Sequence, residues 1–175
     1  MAKRAGIDLV GKHLNYLRFS LAESAAATYT ELELDTNLSA ERGVMMKIHS
    51  IEVYNEQLVN VLEVAQSSTE GIAWHVAREG KSIVTPLNDA DVIAFQNTLL
   101  FRAATIGTDA GPLWFLQELV SKIDFALPIP YVKPSIFIAV QGTDATATAG
   151  IKGRIGYTLE EIDRTEFIEL LVALQ

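Results

Sequence analysis

The sequence predicts a mainly β fold: an antiparallel β-sandwich with a C-terminal helix and one or two short helices besides. Three observations carry that prediction. Apolar and polar residues alternate with a period of two through much of the chain. Turn-forming clusters such as Ser67-Ser68-Thr69-Glu70-Gly71 and Gly142-Thr143-Asp144 cut it into short segments. The chain ends in a dense apolar run, Phe167, Ile168, Leu170, Leu171, Val172 and Leu174, which reads as a helix.

The elements follow in order. Ile7, Val10, Leu14, Leu17 and Leu21 recur at spacings of three and four, so residues 7–21 read as a helical stripe or as an extended arm with apolar anchors. From Thr28 the period becomes two, and Thr28 to Thr36 reads as a half-buried strand. Val44, Met46 and Ile48 share one face of the next strand. Ile51 and Val53 take the opposite parity, which places a bulge or bend at His49-Ser50. Residues 58–65 form a further strand. Ile72, Trp74 and Val76 alternate with Ala73, His75 and Ala77 in another, and Glu79-Gly80 turns into a short strand at Ser82–Thr85. Asn88-Asp89-Ala90-Asp91 has the side-chain oxygens of a helix start, so Val92, Ile93 and Phe95 are expected in a short helix. Leu99 to Phe101 open another apolar segment, and residues 113–127 fit strand or helix.

Pro128, Pro130 and Pro134 forbid helix and predict an extended connector. Ser135 to Gln141 is almost wholly apolar and belongs at the centre of a sheet. Ile151, Ile155, Tyr157 and Leu159 alternate in the last strand, where Gly150, Gly153 and Gly156 imply bulging or close backbone approach. Asp163 and Glu166 have the spacing of a capping box for a helix over 164–174. The organisation expected is an N-terminal arm or short helix over 1–27 and a single sandwich domain over 28–175.

Composition bounds the function. A chain of 175 residues can bury a core without staples, and 49% hydrophobic with 21% charged residues is globular composition. Cysteine is absent, which removes disulfides and thiolate metal sites. Mean hydropathy is slightly positive, as expected where partner chains cover part of the surface. No stretch reaches the ~18 apolar residues of a membrane span. The N-terminus lacks the apolar core of a signal peptide, so a cytoplasmic location is the default. The first 20 residues carry Lys3, Arg4, Lys12 and Arg18 against Asp8 alone. That net +3 leaves −11 on the rest of a chain whose total is −8. The four cations are candidates for weak, salt-sensitive nucleic-acid contact.

No catalytic apparatus is recognisable. The chain lacks H-E-x-x-H, G-x-S-x-G, the phosphate loop and the dinucleotide fingerprint. Gly150, Gly153 and Gly156 precede no helix and cradle no phosphate. His13, His49 and His75 read as solvent-facing strand residues, and Trp74 as core. Glu160-Glu161 and the Asp89/Asp91 pair read as solvated or capping carboxylates. The chain is therefore expected not to be an enzyme and to need no metal or cofactor.

Pro128-Ile129-Pro130-Tyr131, then Ser135 to Thr143, then Gly153-Arg154-Ile155-Gly156-Tyr157-Thr158-Leu159 resemble the closing half of a viral single jelly-roll coat protein. A proline-rich crossing, an apolar penultimate strand, a polar loop and a last alternating strand make up the likeness. It covers the last third of the chain. It implies a jelly-roll sandwich, many copies closing into a shell around a genome, and a virion location. The arm is shorter than in RNA-packaging relatives of this kind, so genome contact is expected to be weak. Phe167, Ile168, Leu170, Leu171 and Leu174 are the candidate subunit-interface residues. Other readings are a β-sandwich module binding carbohydrate or a receptor, and a cupin-like or glycosidase-like enzyme.

Overall fold

The computed structural model describes residues 11–39, 41, 43–57, 69–102, 114–116, 120–143 and 148–173. Among them are nine strands and one helix. The strands are β1 (Gly11–Ala22), β2 (Thr30–Asp35), β3 (Val44–Gln57), β4 (Thr69–Ala77), β5 (Val92–Arg102), β6 (Trp114–Leu116), β7 (Val120–Tyr131), β8 (Ser135–Thr143) and β9 (Gly150–Glu161). Helix α1 is Arg164–Ala173.

The strands form two antiparallel sheets, ordered β1-β9-β3-β7 and β2-β8-β4-β5-β6. The pairing is nested. The first strand pairs with the last, β2 with β8, β3 with β7, and β4 with β5. Each sheet turns one face inward. Ile48, Ile51, Val53, Ile151 and Ile155 from one meet Ile72, Trp74, Val76, Ile136, Ile138 and Val140 from the other in a single dry core. Alternation put the right residues inside, because successive side chains in a strand point to opposite faces.

The change of parity in β3 is a bulge. Ile48 pairs with Tyr157 and Ser50 with Gly156, so His49 has no register partner on β9. On the other side Ile48 pairs with Ile129 and Ser50 with Asp124, which leaves residues 125–128 of β7 without partners on β3. Leu127 stands in that excursion, 83% exposed.

Several expectations are corrected. Residues 11–21 belong to β1, a strand of the sandwich, not to a helix or an arm ahead of it. The spacing that mimicked a helix concealed a second period, in which Leu17, Phe19 and Leu21 point into the core. Residues 7–10 lie outside the described residues, as does the expected strand at 58–65. No strand forms at Ser82–Thr85, where the chain runs as a loop. Val92, Ile93 and Phe95 are in β5, not in a short helix. Asp89 caps a turn instead: its Oδ1 accepts the Asp91 N–H at 2.9 Å, and Val92 N–H donates to the Asp89 carbonyl at 3.1 Å. A β-branched pair followed by a partner strand then favours extension. Pro128 and Pro130 lie inside β7, not in a connector. They are tolerated because, among the described residues, β7 is an edge strand bonded only to β3.

Two residues close the fold at its first and last strands. A side chain on Gly153 would collide with the Phe19 ring and the Glu52 carbonyl, so this glycine admits Phe19 to the core. Glu23, just past β1, is buried. Its Oε1 accepts the Gly142 N–H and its Oε2 the Ala149 N–H, each at 2.6 Å, so one carboxylate ties both ends of the β8–β9 connection to β1.

At the C-terminus, Asp163 caps α1 by accepting the Thr165 and Glu166 N–H groups at 2.7 and 2.9 Å. Phe167 packs against Met45 and Val132, with Leu170 and Leu171 alongside.

Glu23→Gln turns one acceptor into a donor facing a buried N–H. The expected loss is about 1–3 kcal/mol of unfolding free energy, measured by urea denaturation. An unchanged midpoint would show that the clamp contributes nothing.

Candidate functional site

The expected interface residues on α1 divide by facing. Phe167 is buried by its own chain, and Leu170 and Leu171 are half-buried against the body. Ile168 is open at 45% exposure, and Val172, one turn further on, at 63%. These two form an apolar ridge, with the exposed Arg164 one turn before Ile168 and the exposed Glu169 three positions before Val172. Leu174 lies outside the described residues.

Of the N-terminal cations, Lys3 and Arg4 lie outside the described residues, and Lys12 is described by its backbone in β1 alone. Arg18 is exposed on the outer face of the four-stranded sheet. Register brings it opposite Arg154 of β9, Arg154 opposite Glu52 of β3, and Glu52 opposite Lys122 of β7. Arg154 is held firmly. Its Nε and Nη2 both reach Glu52 Oε2 at 2.7 Å, and its guanidinium lies 4.7 Å over the Tyr16 ring. Beside this row Arg18, Lys152, Arg154, Phe19, Tyr54 and Gly153 line an open concavity of about 320 Å³. Sequence reasoning named Arg18 but missed Lys152 and Arg154. Only the pairing of first and last strands unites them, and no local spacing reports it.

The outer face of the other sheet is covered by the chain itself. The β4–β5 connection, residues 78–91, lies across it. Lys81 N–H donates to Glu31 Oε2 at 2.9 Å, and the Tyr29 hydroxyl donates to the same oxygen at 2.6 Å. Lys81 Nζ binds Asp89 and Asp91 at about 3 Å. Hydrogen bonding to Asp91 and Asp89 raises the Lys81 pKa. The Asp91 N–H, then Lys81, hold Asp89 below its ordinary value. Burial, then the bond to Glu31, push the Tyr29 phenol up.

His75 sits beneath this loop. It is fully buried, which corrects the expectation of a solvent-facing residue. His49 is half-buried and bonded to the Thr158 hydroxyl at 2.9 Å, and His13 is exposed. The Thr85 N–H donates to His75 Nδ1 at 2.9 Å, so the ring is neutral with its proton on Nε2. Nε2 has no partner among the described residues. Burial lowers the His75 pKa, against the raising effect of Glu31.

Among the described residues no three of His, Cys, Asp and Glu gather as a metal-holding group, and no helix is long and apolar enough to cross a membrane. Trp74 is wholly buried and has no face to offer a sugar. The Trp114 side chain lies outside the description. No family model and no curated protein matches the chain.

Because the folded-state pKa of His75 lies below 6.5, the unfolded chain binds the extra proton first as the solution is acidified. The stability His75 contributes by staying neutral is present above the unfolded value and falls as pH drops through 6.5 toward the folded pKa. His75→Asn keeps an acceptor near Thr85 and cannot protonate. Its melting temperature is expected to fall less than that of the unaltered protein between about pH 7.5 and about pH 5.5. Parallel curves would assign the acid sensitivity to other groups.

Proposed function

We propose that this chain is a structural subunit that assembles with copies of itself into a closed shell, as a viral coat protein of jelly-roll type does. The observation that carries the reading is the nested pairing of first with last strand, second with penultimate, and inward to β4 with β5. Winding a long antiparallel hairpin into two Greek keys produces such nesting, and that is the jelly roll. The sheet orders β1-β9-β3-β7 and β2-β8-β4-β5 follow from it, with β6 as an addition at one edge.

Jelly rolls serve capsids, lectins and cupins alike, so the surface must choose among them. The exposed apolar residues favour a protein partner. Ile168 and Val172 on α1 and Leu127 in the β7 excursion are large side chains left in water. In this reading the chain resides in a virion, and the terminal cations Lys3, Arg4 and Lys12 serve weak contact with the enclosed genome.

The test is particle size, by light scattering and negative-stain microscopy, from about 50 mM to about 500 mM salt. Uniform closed particles are expected, and a monomer throughout would overturn the reading. Ile168→Glu combined with Val172→Glu should abolish particles with little change in melting temperature, since both side chains are exposed. Phe167→Ala, by contrast, should lower stability by about 3–5 kcal/mol. Particles unaffected by the paired glutamates would remove α1 from the interface.

A further inference from the structure

Residues 78–91 form a strap across the outer face of the five-stranded sheet, and the strap is braced on itself. The Arg78 N–H donates to the Asp91 carbonyl at 2.8 Å, the Arg78 guanidinium to the Ala90 carbonyl at 2.6 Å, and Lys81 Nζ reaches Asp89 and Asp91 at about 3 Å. Its two ends are fastened to one another, so it can move as one piece. Less ties it down. Among the described residues its polar ties to the rest of the fold are the Lys81 N–H to Glu31 Oε2, the Thr85 N–H to His75 Nδ1, and the ion pair of Glu79 with Lys133.

The tie to His75 exists in one protonation state alone. Nδ1 accepts the Thr85 N–H only while it carries no proton. A proton there sets two donors face to face on a fully buried ring. The neighbours do not rescue that charge. Strand β2 brings Glu31 and the Tyr29 ring, whose centroid is 6.4 Å away, and the strap brings Lys81 and Asp89. On β5 and β8 the outward positions beside it are Phe95, Asn97, Phe137, Ala139 and Gln141, none of which titrates. Glu31 and Asp89 favour the imidazolium, and burial opposes it and prevails. The neutral ring is itself imperfectly housed, since its Nε2–H has no partner among the described residues, a cost that water would remove. The dry core lies on the other side of the sheet, so the strap can leave without opening it.

We propose that residues 78–91 are an acid-released latch: a solvent proton taken up by His75 breaks the bond to Thr85 and lifts the strap from a sandwich that stays folded. Opening uncovers the imidazole and the Phe137 ring, against which Gly80 lies. The device works within one chain, whether or not copies assemble. Its sign follows from linkage. The exposed ring regains an ordinary imidazole pKa near 6.5, so the closed state is favoured above that value and loses ground below it. Between about pH 7.5 and about pH 5.5 the open fraction should rise by up to about tenfold.

Amide hydrogen exchange on the full-length chain, each rate divided by the intrinsic rate at the same pH, reads the opening residue by residue. The Lys81 and Thr85 amides are expected to exchange well ahead of Ile138 and Val140 in β8 at both pH values. Their protection should fall by about tenfold on acidification, and low urea should leave it unchanged, because little surface is exposed. In His75→Asn the strap's protection should no longer depend on pH over this range. Strap amides as slow and as urea-sensitive as those of β8 would mean that the strap leaves only when the whole fold does, which overturns the latch. So does protection that ignores pH in the unaltered chain, or an equal loss in His75→Asn. Should that variant fail to fold, the imidazole ¹⁵N shifts of the unaltered chain decide. An imidazolium coexisting with a protected Thr85 amide at about pH 5.5 overturns the proposal, and a ring that stays neutral wherever Thr85 is protected supports it.

Discussion

The pairing of β1 with β9 is the interaction on which the sandwich depends. It runs from Gly11 opposite Leu159 to Ala22 opposite Gly150 and joins the beginning of the described chain to its last strand. β9 lies between β1 and β3, so its placement orders the whole four-stranded sheet. Two local features make the seam close. Gly153 leaves room for the Phe19 ring, and Glu23 holds the backbone of Gly142 and Ala149. The Glu23 bond to Gly142 spans 119 residues, and contacts of that range reward the chain only after the loop-closure entropy has been met. The fold therefore belongs among the slow, non-local topologies, and an incomplete seam exposes the flanks of β3 and β9.

Much of this architecture was legible in the sequence. Period-two alternation located β2, β3, β4 and β9, an almost wholly apolar run located β8, the parity change in β3 marked its bulge, and Asp163 marked the start of α1. The failures share a cause: local pattern was outweighed by a partner out of sight. Leu14, Leu17 and Leu21 have helical spacing, yet β9 offered an edge, and Phe19 supplied the alternation that decides the strand. Asp89 and Asp91 have the chemistry of a helix cap, yet their carboxylates hold Lys81 and a turn while β4 captures Val92 onward. The prolines forbade helix, and only the edge position of β7 shows why they did not forbid a strand.

The candidate site was less legible, for a related reason. Arg18 was visible as a cation, but its companions Lys152 and Arg154 are more than a hundred positions away in the chain. His75 read as exposed because strand parity alone turns it away from the core, and parity does not report that residues 78–91 fold back over that face. The two outer faces thus differ in kind. One is dried by the chain's own loop, with Tyr29, Glu31 and Lys81 holding it down. On the other, Tyr16 and Tyr54 remain in water beside the cations.

That difference matters because of the overall charge. Copies carrying −8 repel one another at long range, whatever their orientation. At physiological salt the repulsion is screened beyond about 8 Å, so only charges that come nearly into contact decide whether an approach succeeds. In the proposed assembly an exposed cation such as Arg18 on an acidic body would favour some orientations over others, which opposes indiscriminate aggregation. Charge alone binds weakly, and screened ion pairs at an exposed rim add little. In the proposed assembly the exposed Tyr16, Tyr54, Ile168 and Val172 would supply what charge does not, since removing apolar area from water is insensitive to modest salt. In the proposed assembly, selectivity and strength would reside in different atoms: charged groups would choose the pose, and the rings and methyl groups would hold it.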